Sequence, residues 1–230
     1  MSIKAGTASL LLALASCRAE PAADRFPTAH RDVAPIVGDS FSTEDARDRL
    51  GEAEEVMRLA GVAPGMSVAD IGAGEGYYTV RLSPAVGRKG RVLAEDIVPA
   101  TRDRLAMRVQ REGLDNVSVR LGLADDAKLP PASFERIFLI HMYHEVTAPY
   151  AFLWHLREGL TEKGEIVVVD ADRPVRRHGM PPKLLECEFA AIGLGPVQRA
   201  SLAGGDAYYM AFRAIAARPK PGSIKPCRSD

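Results

Sequence analysis

Apolar residues in this chain follow two spacings in turn, one typical of buried strands and the other typical of helices. Short apolar runs predict strands at residues 67–71, 91–96, 117–121, 136–140 and 166–170, and two more strands around Gly204 and Gly205. Helical spacings separate these runs, beginning with an apolar face over residues 46–60. Strands that alternate with helices in this way predict an α/β fold built on a doubly wound parallel sheet.

Prolines and glycines mark the limits of the folded domain, which we expect to span residues 42–217. Ser42 and Asp45 are spaced as a capping box for its first helix, which should end near Gly61.

The segments on either side of this domain contain several prolines. Those in residues 18–41 indicate a tether or an arm that lies over the domain. Residues 218–230 are expected to form a flexible tail. Cys187 and Cys227 are expected to be two free thiols, and a bond between them is the alternative.

The first seventeen residues differ in character from the rest of the chain. Lys4 precedes an apolar run at positions 8–15, which is far shorter than the roughly 20 residues that a membrane-spanning helix needs. The run ends in Leu14-Ala15-Ser16-Cys17, which resembles the bacterial lipobox, whose cysteine is lipidated and becomes the new N-terminus. We therefore expect a signal peptide at residues 1–17 and a protein anchored on the periplasmic side of the cell envelope by a lipid at Cys17. The alternative is a misassigned start codon and a cytoplasmic protein.

Composition limits the partners of the chain. Its 230 residues include 30 Lys and Arg against 30 Asp and Glu, so the formal charge is zero and no global field draws the chain to nucleic acid. Basic and aromatic residues are not interleaved as they are in nucleic-acid surfaces. Nucleic acid is therefore not expected as a partner, and contact with a membrane is expected only through the lipid anchor.

The segment with the clearest chemistry is the glycine-rich turn after the strand at residues 67–71. Gly72, Gly74 and Gly76 occupy every second position, whereas a dinucleotide fingerprint needs its third glycine one residue later, where Tyr77 stands. Asp70 lies two residues before the first glycine, and its carboxylate would repel a pyrophosphate. An acid at such a turn favours a positively charged small molecule over NAD.

The spacing of this acid and these glycines resembles the first motif of the class I S-adenosylmethionine-dependent methyltransferases. The resemblance implies a Rossmann-like, mostly parallel seven-stranded sheet with an antiparallel C-terminal strand, and S-adenosylmethionine as the cofactor. It also implies that an acid at the end of the second strand holds the ribose hydroxyls. Asp96 matches that position, with Ile97 against the adenine and Glu95 as a solvated neighbour. After the third strand Leu123 replaces the usual acid of the family, so Asp125 becomes the candidate for the adenine contact.

The fourth strand ends in a polar segment, His141-Met142-Tyr143-His144-Glu145, which such a fold places beside the transferred methyl group. We expect His144 and Tyr143 to line the acceptor pocket as catalytic residues, because histidine titrates near neutral pH and a tyrosine hydroxyl can hold an acceptor. Glu145 is expected to orient the histidine or to close the rim. The alternative is that His144 is a packed histidine bonded to the backbone.

Further candidates for the pocket follow the fifth strand, namely Asp170, Asp172 and His178. His141 and His144 could bind a metal together with Asp170, but we find no further ligand at a suitable spacing. No metal is therefore expected.

The resemblance and these residues together imply a methyltransferase that acts on a small-molecule or lipid-like acceptor. The alternative is an exported lipoprotein with the same fold that binds a ligand without transferring a methyl group. Two features favour that alternative, since S-adenosylmethionine is made in the cytoplasm and Leu123 departs from the third motif. The sequence specifies neither the acceptor atom nor the oligomeric state.

Overall fold

A computed structural model describes residues 25–36, 43–203 and 205–228 of the chain. The predicted signal peptide with Cys17, and part of the predicted tether, lie outside these residues. The α-helices are α1 (Glu44–Arg49), α2 (Glu52–Leu59), α3 (Tyr77–Val86), α4 (Pro99–Arg111), α5 (Pro149–Glu158) and α6 (Pro182–Ala190). The strands are β1 (Ser67–Ile71), β2 (Arg91–Asp96), β3 (Val117–Leu121), β4 (Phe134–Ile140), β5 (Leu160–Ala171), β6 (Leu194–Ser201) and β7 (Ala207–Ala214).

The strands form a seven-stranded sheet in the order β3-β2-β1-β4-β5-β7-β6. β1 pairs in parallel with both β2 and β4, and β3 and β5 extend the parallel part on either side. β7 runs antiparallel between β5 and β6. The expected doubly wound sheet with an antiparallel C-terminal strand is confirmed. The strand order reverses between β1 and β4, and sheets of this kind bind ligands beyond the carboxyl ends of the strands at such a point.

The sheet buries side chains on both of its faces, because side-chain direction has a period of two along a strand. In β5, Ile166 and Val168 pack on one face and Val167 and Val169 pack on the other, all fully buried. Helices α5 and α6 cover the first face, and α2 and α3 cover the second. Coverage on both faces explains why residues 166–169 of this strand are all apolar.

The first predicted helix is divided in two, so the prediction of a single helix is wrong. Gly51 separates α1 from α2, and its φ of +64° lies outside the helical region. The side chain of Thr43 accepts a hydrogen bond from the backbone N–H of Ala46 at 3.2 Å and caps α1. Ser42, the predicted cap, lies outside the described residues. In the described parts of the chain, no helix combines the length and the apolar composition needed to cross a bilayer.

The C-terminal segment packs against the domain, whereas we expected a flexible tail at residues 218–230. Ile224 and Cys227 are buried in the core on the face covered by α5 and α6. Trp154 of α5 donates its indole N–H to the carbonyl of Pro219 at 2.9 Å. The prolines of this segment therefore mark a turn and an extended strap rather than a loose end.

A disulfide bond joins Cys187 of α6 to Cys227 of this segment. The expectation of two free thiols is therefore wrong. The two cysteines are 40 residues apart in sequence, and the packing of the C-terminal segment against α6 brings them together. A disulfide that closes a loop of this size typically stabilises a fold by about 2–4 kcal/mol, in large part by restricting the unfolded chain.

Residues 25–36 form an arm that lies over the domain. Ala34 is buried and donates its backbone N–H to the carbonyl of His144 at 3.1 Å. His30 pairs with Arg228 in an isolated parallel bridge. The arm and the C-terminal segment therefore meet, and the arm reaches the polar segment that follows β4.

Candidate active site

A cavity of about 550 Å³ opens at the carboxyl ends of β1, β2 and β4, where the strand order reverses. Its volume is ordinary for a small-molecule site, and its position is where sheets of this kind bind ligands. The predicted site residues that line it are Asp70, Gly72, Gly74, Asp96, Ile97, His144 and Glu145. Among the described residues, Gly76, Asp125 and Tyr143 are not part of the lining.

The turn after β1 requires glycine for its backbone conformation and for its close contacts. Gly72, Gly74 and Gly76 have φ values of +65°, +57° and +89°. A Cβ on Gly72 would lie 3.0 Å from the side chain of Met142, and a Cβ on Gly76 would lie 2.5 Å from that of Leu105. Gly76 therefore acts by allowing the turn to pack against α4, without reaching the cavity.

Asp70 is a buried acid in β1 that lines the cavity. Its Oδ2 accepts a hydrogen bond from the hydroxyl of Thr79 in α3 at 2.6 Å. Burial raises the pKa of Asp70 to about 6, although the Thr79 bond and the positive charge of Arg47 act in the other direction. A cation bound in the cavity would favour the ionised form of this carboxyl and would be attracted by it.

Asp96, at the end of β2, connects the glycine turn to the start of α4. Its Oδ2 accepts a hydrogen bond from the backbone N–H of Gly74 at 3.0 Å, and its Oδ1 accepts one from Val98 at 2.8 Å. Ile97 is 37% exposed and gives the cavity an apolar wall. These positions suit a polar contact from Asp96 and an apolar contact from Ile97.

Glu95 is buried, whereas we expected a solvated side chain. It is 1% exposed, and its Oε1 has no hydrogen-bond partner among the described residues. Gly122 leaves room for this carboxyl, since a Cβ there would lie 1.8 Å from Oε1. Burial and then the nearby charge of Asp96 raise the pKa of Glu95 to about 8, although backbone hydrogen bonds from Gly72 and Gly122 lower it. The carboxyl group of Glu95 is therefore mostly protonated at neutral pH.

Asp125 does not reach the cavity, contrary to the expectation of an adenine contact. Its side chain is exposed, and its backbone carbonyl lies 2.9 Å from the Nδ1 of His155. Leu123 and Ala124 line the cavity in its place. The wall after β3 therefore offers apolar side chains and backbone, without a carboxylate from Asp125.

The polar segment after β4 forms a short 3₁₀ turn at Tyr143–Glu145, called here the 143–145 turn. His144 and Glu145 line the cavity. The Nδ1 of His144 lies 3.0 Å from each carboxylate oxygen of Asp170 in β5, and both side chains are buried. Asp170, rather than Glu145, therefore orients the histidine. This contact leaves Nε2 as the ring nitrogen that can act on a ligand.

Tyr143 points away from the cavity, contrary to the expectation that it lines the acceptor pocket. Its hydroxyl donates a hydrogen bond to Oε2 of Glu188 at 2.7 Å, and its ring packs edge-on against Phe189. Successive residues of a 3₁₀ turn point in directions about 120° apart, so Tyr143 and His144 face different sides of the turn. Tyr143 is therefore a packing residue that supports the turn.

Arg31 of the arm holds the 143–145 turn from outside, a role that no motif or spacing in the sequence indicates. Its Nε donates to Oε1 of Glu188 at 2.9 Å, and both side chains are 1% exposed. Its Nη2 donates to the carbonyls of Tyr143 and Val146 at 3.4 and 3.2 Å. Arg31 and Tyr143 are 112 positions apart, and no periodicity links them. A buried charge pair of this kind keeps its partners in place, because breaking it would leave one charge unpaired.

A second group of cavity residues, Arg47, Glu52 and His141, joins α1 and α2 to the end of β4. The sequence analysis did not predict this group, because its members come from separate elements. Oε1 of Glu52 lies 2.6 Å from Nη2 of Arg47, and Oε2 lies 3.1 Å from Nε2 of His141. Burial raises the pKa of Glu52, but the hydrogen bonds and charges of His141 and Arg47 outweigh it and lower the pKa to about 2. The guanidinium of Arg47 also lies 3.9 Å over the ring of Tyr77. The carboxylate of Glu52 is therefore well compensated, in contrast to that of Asp70.

Comparison with known families identifies the segment that carries the glycine turn, Asp96 and the 143–145 turn. The sequence model of a family described as a methyltransferase domain matches residues 68–164.

Known proteins similar to this chain include methyltransferases. The chain is 30% identical over 113 residues to a protein-L-isoaspartate O-methyltransferase of Methanococcoides burtonii, covering 48% of this chain and 51% of that protein. It is 28% identical over 119 residues to a ubiquinone/menaquinone biosynthesis C-methyltransferase, UbiE, of a Shewanella species, covering 51% and 47%. The chain thus spans about half the length of the curated relatives it matches. A SAM dependent methyltransferase from Aquifex aeolicus has the same fold, with a TM-score of 0.69, 24% identity, and coverage of 74% of this chain and 93% of that one.

S-adenosylmethionine is the cofactor that the resemblance of the glycine turn implies. The residues at the cavity fit it. Its sulfonium and amino groups are cationic, and Asp70 is a buried acid beside the glycine turn. Asp96 offers carboxylate oxygens for the ribose hydroxyls. A Cβ on Gly72 would crowd Met142, so glycine keeps this part of the turn open.

The role of Asp96 can be tested by a change that keeps its size. Asp96→Asn should weaken the binding of S-adenosylmethionine and of its demethylated product by roughly 1.5–3 kcal/mol, the net contribution of hydrogen bonds to a charged group. Isothermal titration calorimetry measures this difference. Asp125→Asn is the matched control, because its exposed side chain lies outside the cavity, and its affinity should equal that of the wild type. Equal affinities for all three proteins would show that Asp96 does not contribute to cofactor binding.

The burial of Glu95 predicts a specific dependence of stability on pH. Because its pKa is raised to about 8 in the folded chain, the folded state holds a proton that the unfolded state releases above about pH 4.5. The free energy of unfolding should therefore fall as the pH rises from about 5 to 8. Glu95→Gln removes this contribution while Asp70 keeps its own. The free energy of unfolding of the variant, measured with urea, should therefore fall less across that pH range. Parallel curves for the two proteins would show that Glu95 titrates normally.

Proposed function

We propose that this chain transfers a methyl group from S-adenosylmethionine to a small-molecule or lipid-like acceptor. The observation that carries the proposal is that one cavity joins the acidic glycine turn to the oriented histidine. Asp70 and Asp96 lie on one part of the lining, and His144, held by Asp170, lies on another. A cofactor site and a polar acceptor site side by side are what a transfer enzyme needs, because transfer requires alignment of two ligands.

The residues of the chain have separate tasks in this proposal. S-adenosylmethionine, when bound, supplies an electrophilic methyl carbon on a sulfonium centre. Asp70 attracts the cationic part of the cofactor, and Asp96 and Ile97 bind its nucleoside part. His144 presents Nε2 to the acceptor, because Asp170 occupies Nδ1.

The lining of the cavity supports a small or lipid-like acceptor. Apolar side chains from several elements contribute to it, namely Ile36, Leu50, Ile140, Met142, Val146 and Phe152. The neutral charge of the chain gives no support to nucleic acid as the acceptor. The names of the two relatives place the methyl group on oxygen in one and on carbon in the other, so they leave the acceptor atom open.

The proposal includes export and lipid anchoring at Cys17. Lys4, the apolar run at residues 8–15 and the Leu14-Ala15-Ser16-Cys17 end form the sequence signal. The Cys187–Cys227 disulfide adds a second line of support, because disulfides persist in oxidising compartments and are rare in the cytosol. Membrane contact would then come through the lipid anchor.

A second candidate function is ligand binding without methyl transfer. It is favoured by the wall after β3, where Leu123 replaces the acid usual in the family and Asp125 lies outside the cavity. It is also favoured by the proposed export, since S-adenosylmethionine is made in the cytoplasm. The intact glycine turn and the oriented His144 favour the enzyme.

Methyl transfer is tested by following a labelled methyl group from S-adenosylmethionine into catechols, quinols and an extract of bacterial envelope lipids. The wild type should label at least one class. His144→Ala should keep cofactor affinity within a few-fold while transfer falls by about 10²–10⁴-fold, the usual loss when a group that acts on a proton is removed. His155→Ala is the matched control, because that half-buried histidine lies outside the lining. Cofactor binding without transfer to any class would favour the second candidate function.

Export is tested by expressing the full chain in a Gram-negative bacterium. We expect the N-terminal peptide to begin at Cys17 with the added mass of lipid, and the protein to pellet with membranes, because several acyl chains anchor stably. Cys17→Ser should abolish both, while thiol labelling should show the Cys187–Cys227 bond intact in the exported wild type. A soluble protein that keeps residues 1–17 would support the cytoplasmic alternative.

A further inference from the structure

Side chains from two separate segments converge beside the oriented histidine. His144 and Glu145 come from the 143–145 turn, and His178 comes from the loop between β5 and α6. Each of the three offers one ligand atom, and these atoms all lie within 4.8 Å of one another. The sequence suggested His141 and Asp170 as partners of His144, and the structure replaces them with Glu145 and His178.

Two imidazoles and one carboxylate form a ligand set with a well-defined preference. Imidazole binds Zn²⁺, Fe²⁺ and other divalent first-row transition ions, and a carboxylate completes three-ligand sites that keep other coordination positions open. His144 is buried and the other two side chains are half-buried. His144 and Glu145 line the cavity, whereas His178 is outside its lining, so a cation would face the cavity beside the first two ligands.

A carboxylate behind His144 strengthens this assignment. Asp170 is 0% exposed, and both of its oxygens lie 3.0 Å from Nδ1 of His144. It also accepts the backbone N–H of Ala171 at 2.8 Å, so its own position is fixed. Metal-binding histidines usually donate their second ring N–H to such a carboxylate, which fixes the ring and makes it a better ligand. The same contact occupies Nδ1 and leaves Nε2 as the ring nitrogen of His144 that could bind a cation.

The backbone at His178 is also held in an uncommon conformation. Its φ is +54°, which is rare for a residue with a Cβ, and its backbone N–H donates to the carbonyl of Val175 at 2.9 Å. Its own carbonyl accepts from Nε of Arg173 at 3.2 Å. The two imidazole rings lie 5.5 Å apart and nearly perpendicular. The loop therefore holds the second histidine beside the first.

We propose that His144, Glu145 and His178 bind one divalent transition-metal cation at the acceptor part of the cavity. With three protein ligands, the cation keeps positions for oxygen atoms of an acceptor, which restricts the acceptor to molecules with a hydroxyl, phenol or carboxylate group. Nε2 of His144 would then act on the acceptor through the cation rather than directly. This restriction rests on the proposed methyl transfer, whereas the cation site itself does not.

The test uses the full chain, purified in detergent and freed of metal with a chelator. Titration with Co²⁺ should give one bound ion per chain and the visible absorption bands of a low-symmetry site, and Zn²⁺ should displace it. His178→Gln and Glu145→Gln should each weaken Co²⁺ binding by at least about tenfold, and Asp170→Asn should weaken it by about 10–100-fold. His155→Gln is the control and should bind Co²⁺ as the wild type does.

Calorimetry with S-adenosylmethionine on the same samples separates this proposal from the proposed function. Variants that bind the cofactor normally but lose Co²⁺ would support the metal site. A wild type that binds the cofactor but no Co²⁺ would overturn the metal site and leave the methyltransferase proposal intact. Co²⁺ affinity unchanged in both His178→Gln and Glu145→Gln would also overturn it. A wild type that binds Co²⁺ through these residues but no cofactor would support the site and count against the proposed function.

Discussion

Parallel pairing of β1 with both β2 and β4 is the constraint on which the rest of the site depends. It brings the carboxyl ends of these strands to one edge of the sheet, where the chain must turn towards the helices. In this register Asp70 lies beside Ala94 on one side and Phe138 on the other, so the three strands end almost level. Side chains far apart in sequence therefore line one cavity.

Burial of acids at this edge gives the cavity its chemical character. Asp70 and Glu95 are almost completely buried, and burial raises the pKa of both, to about 6 and about 8. Asp96 differs, because two backbone N–H groups bind its carboxylate. Buried acids with few compensating contacts lower the stability of the fold and favour the binding of a cation. Binding sites often have such a cost in stability.

The two halves of the cavity depend on different parts of the chain. The half that we assign to the cofactor is built from β1, β2 and the glycine turn, all within residues 68–164, which match the family model. The 143–145 turn is held by Arg31 and Glu188, which lie outside that span. The disulfide fixes α6, which carries Glu188, to the C-terminal segment. Segments that flank the matched domain therefore support the part of the cavity that we assign to the acceptor.

The sequence by itself determined the order of strands and helices and the place of the cofactor half. Strand periodicity and glycine spacing are local signals, so β1, β2 and β3 have the predicted bounds and Asp70 and Asp96 lie at the predicted edge. Only the tertiary structure decided which way side chains face and which distant residues meet. Glu95 is buried because neighbouring elements cover it. Tyr143 bonds to Glu188 because the 3₁₀ turn directs its side chain to a different side from that of His144. The pairing of Cys187 with Cys227 depends on long-range packing, which leaves no periodic trace in the sequence.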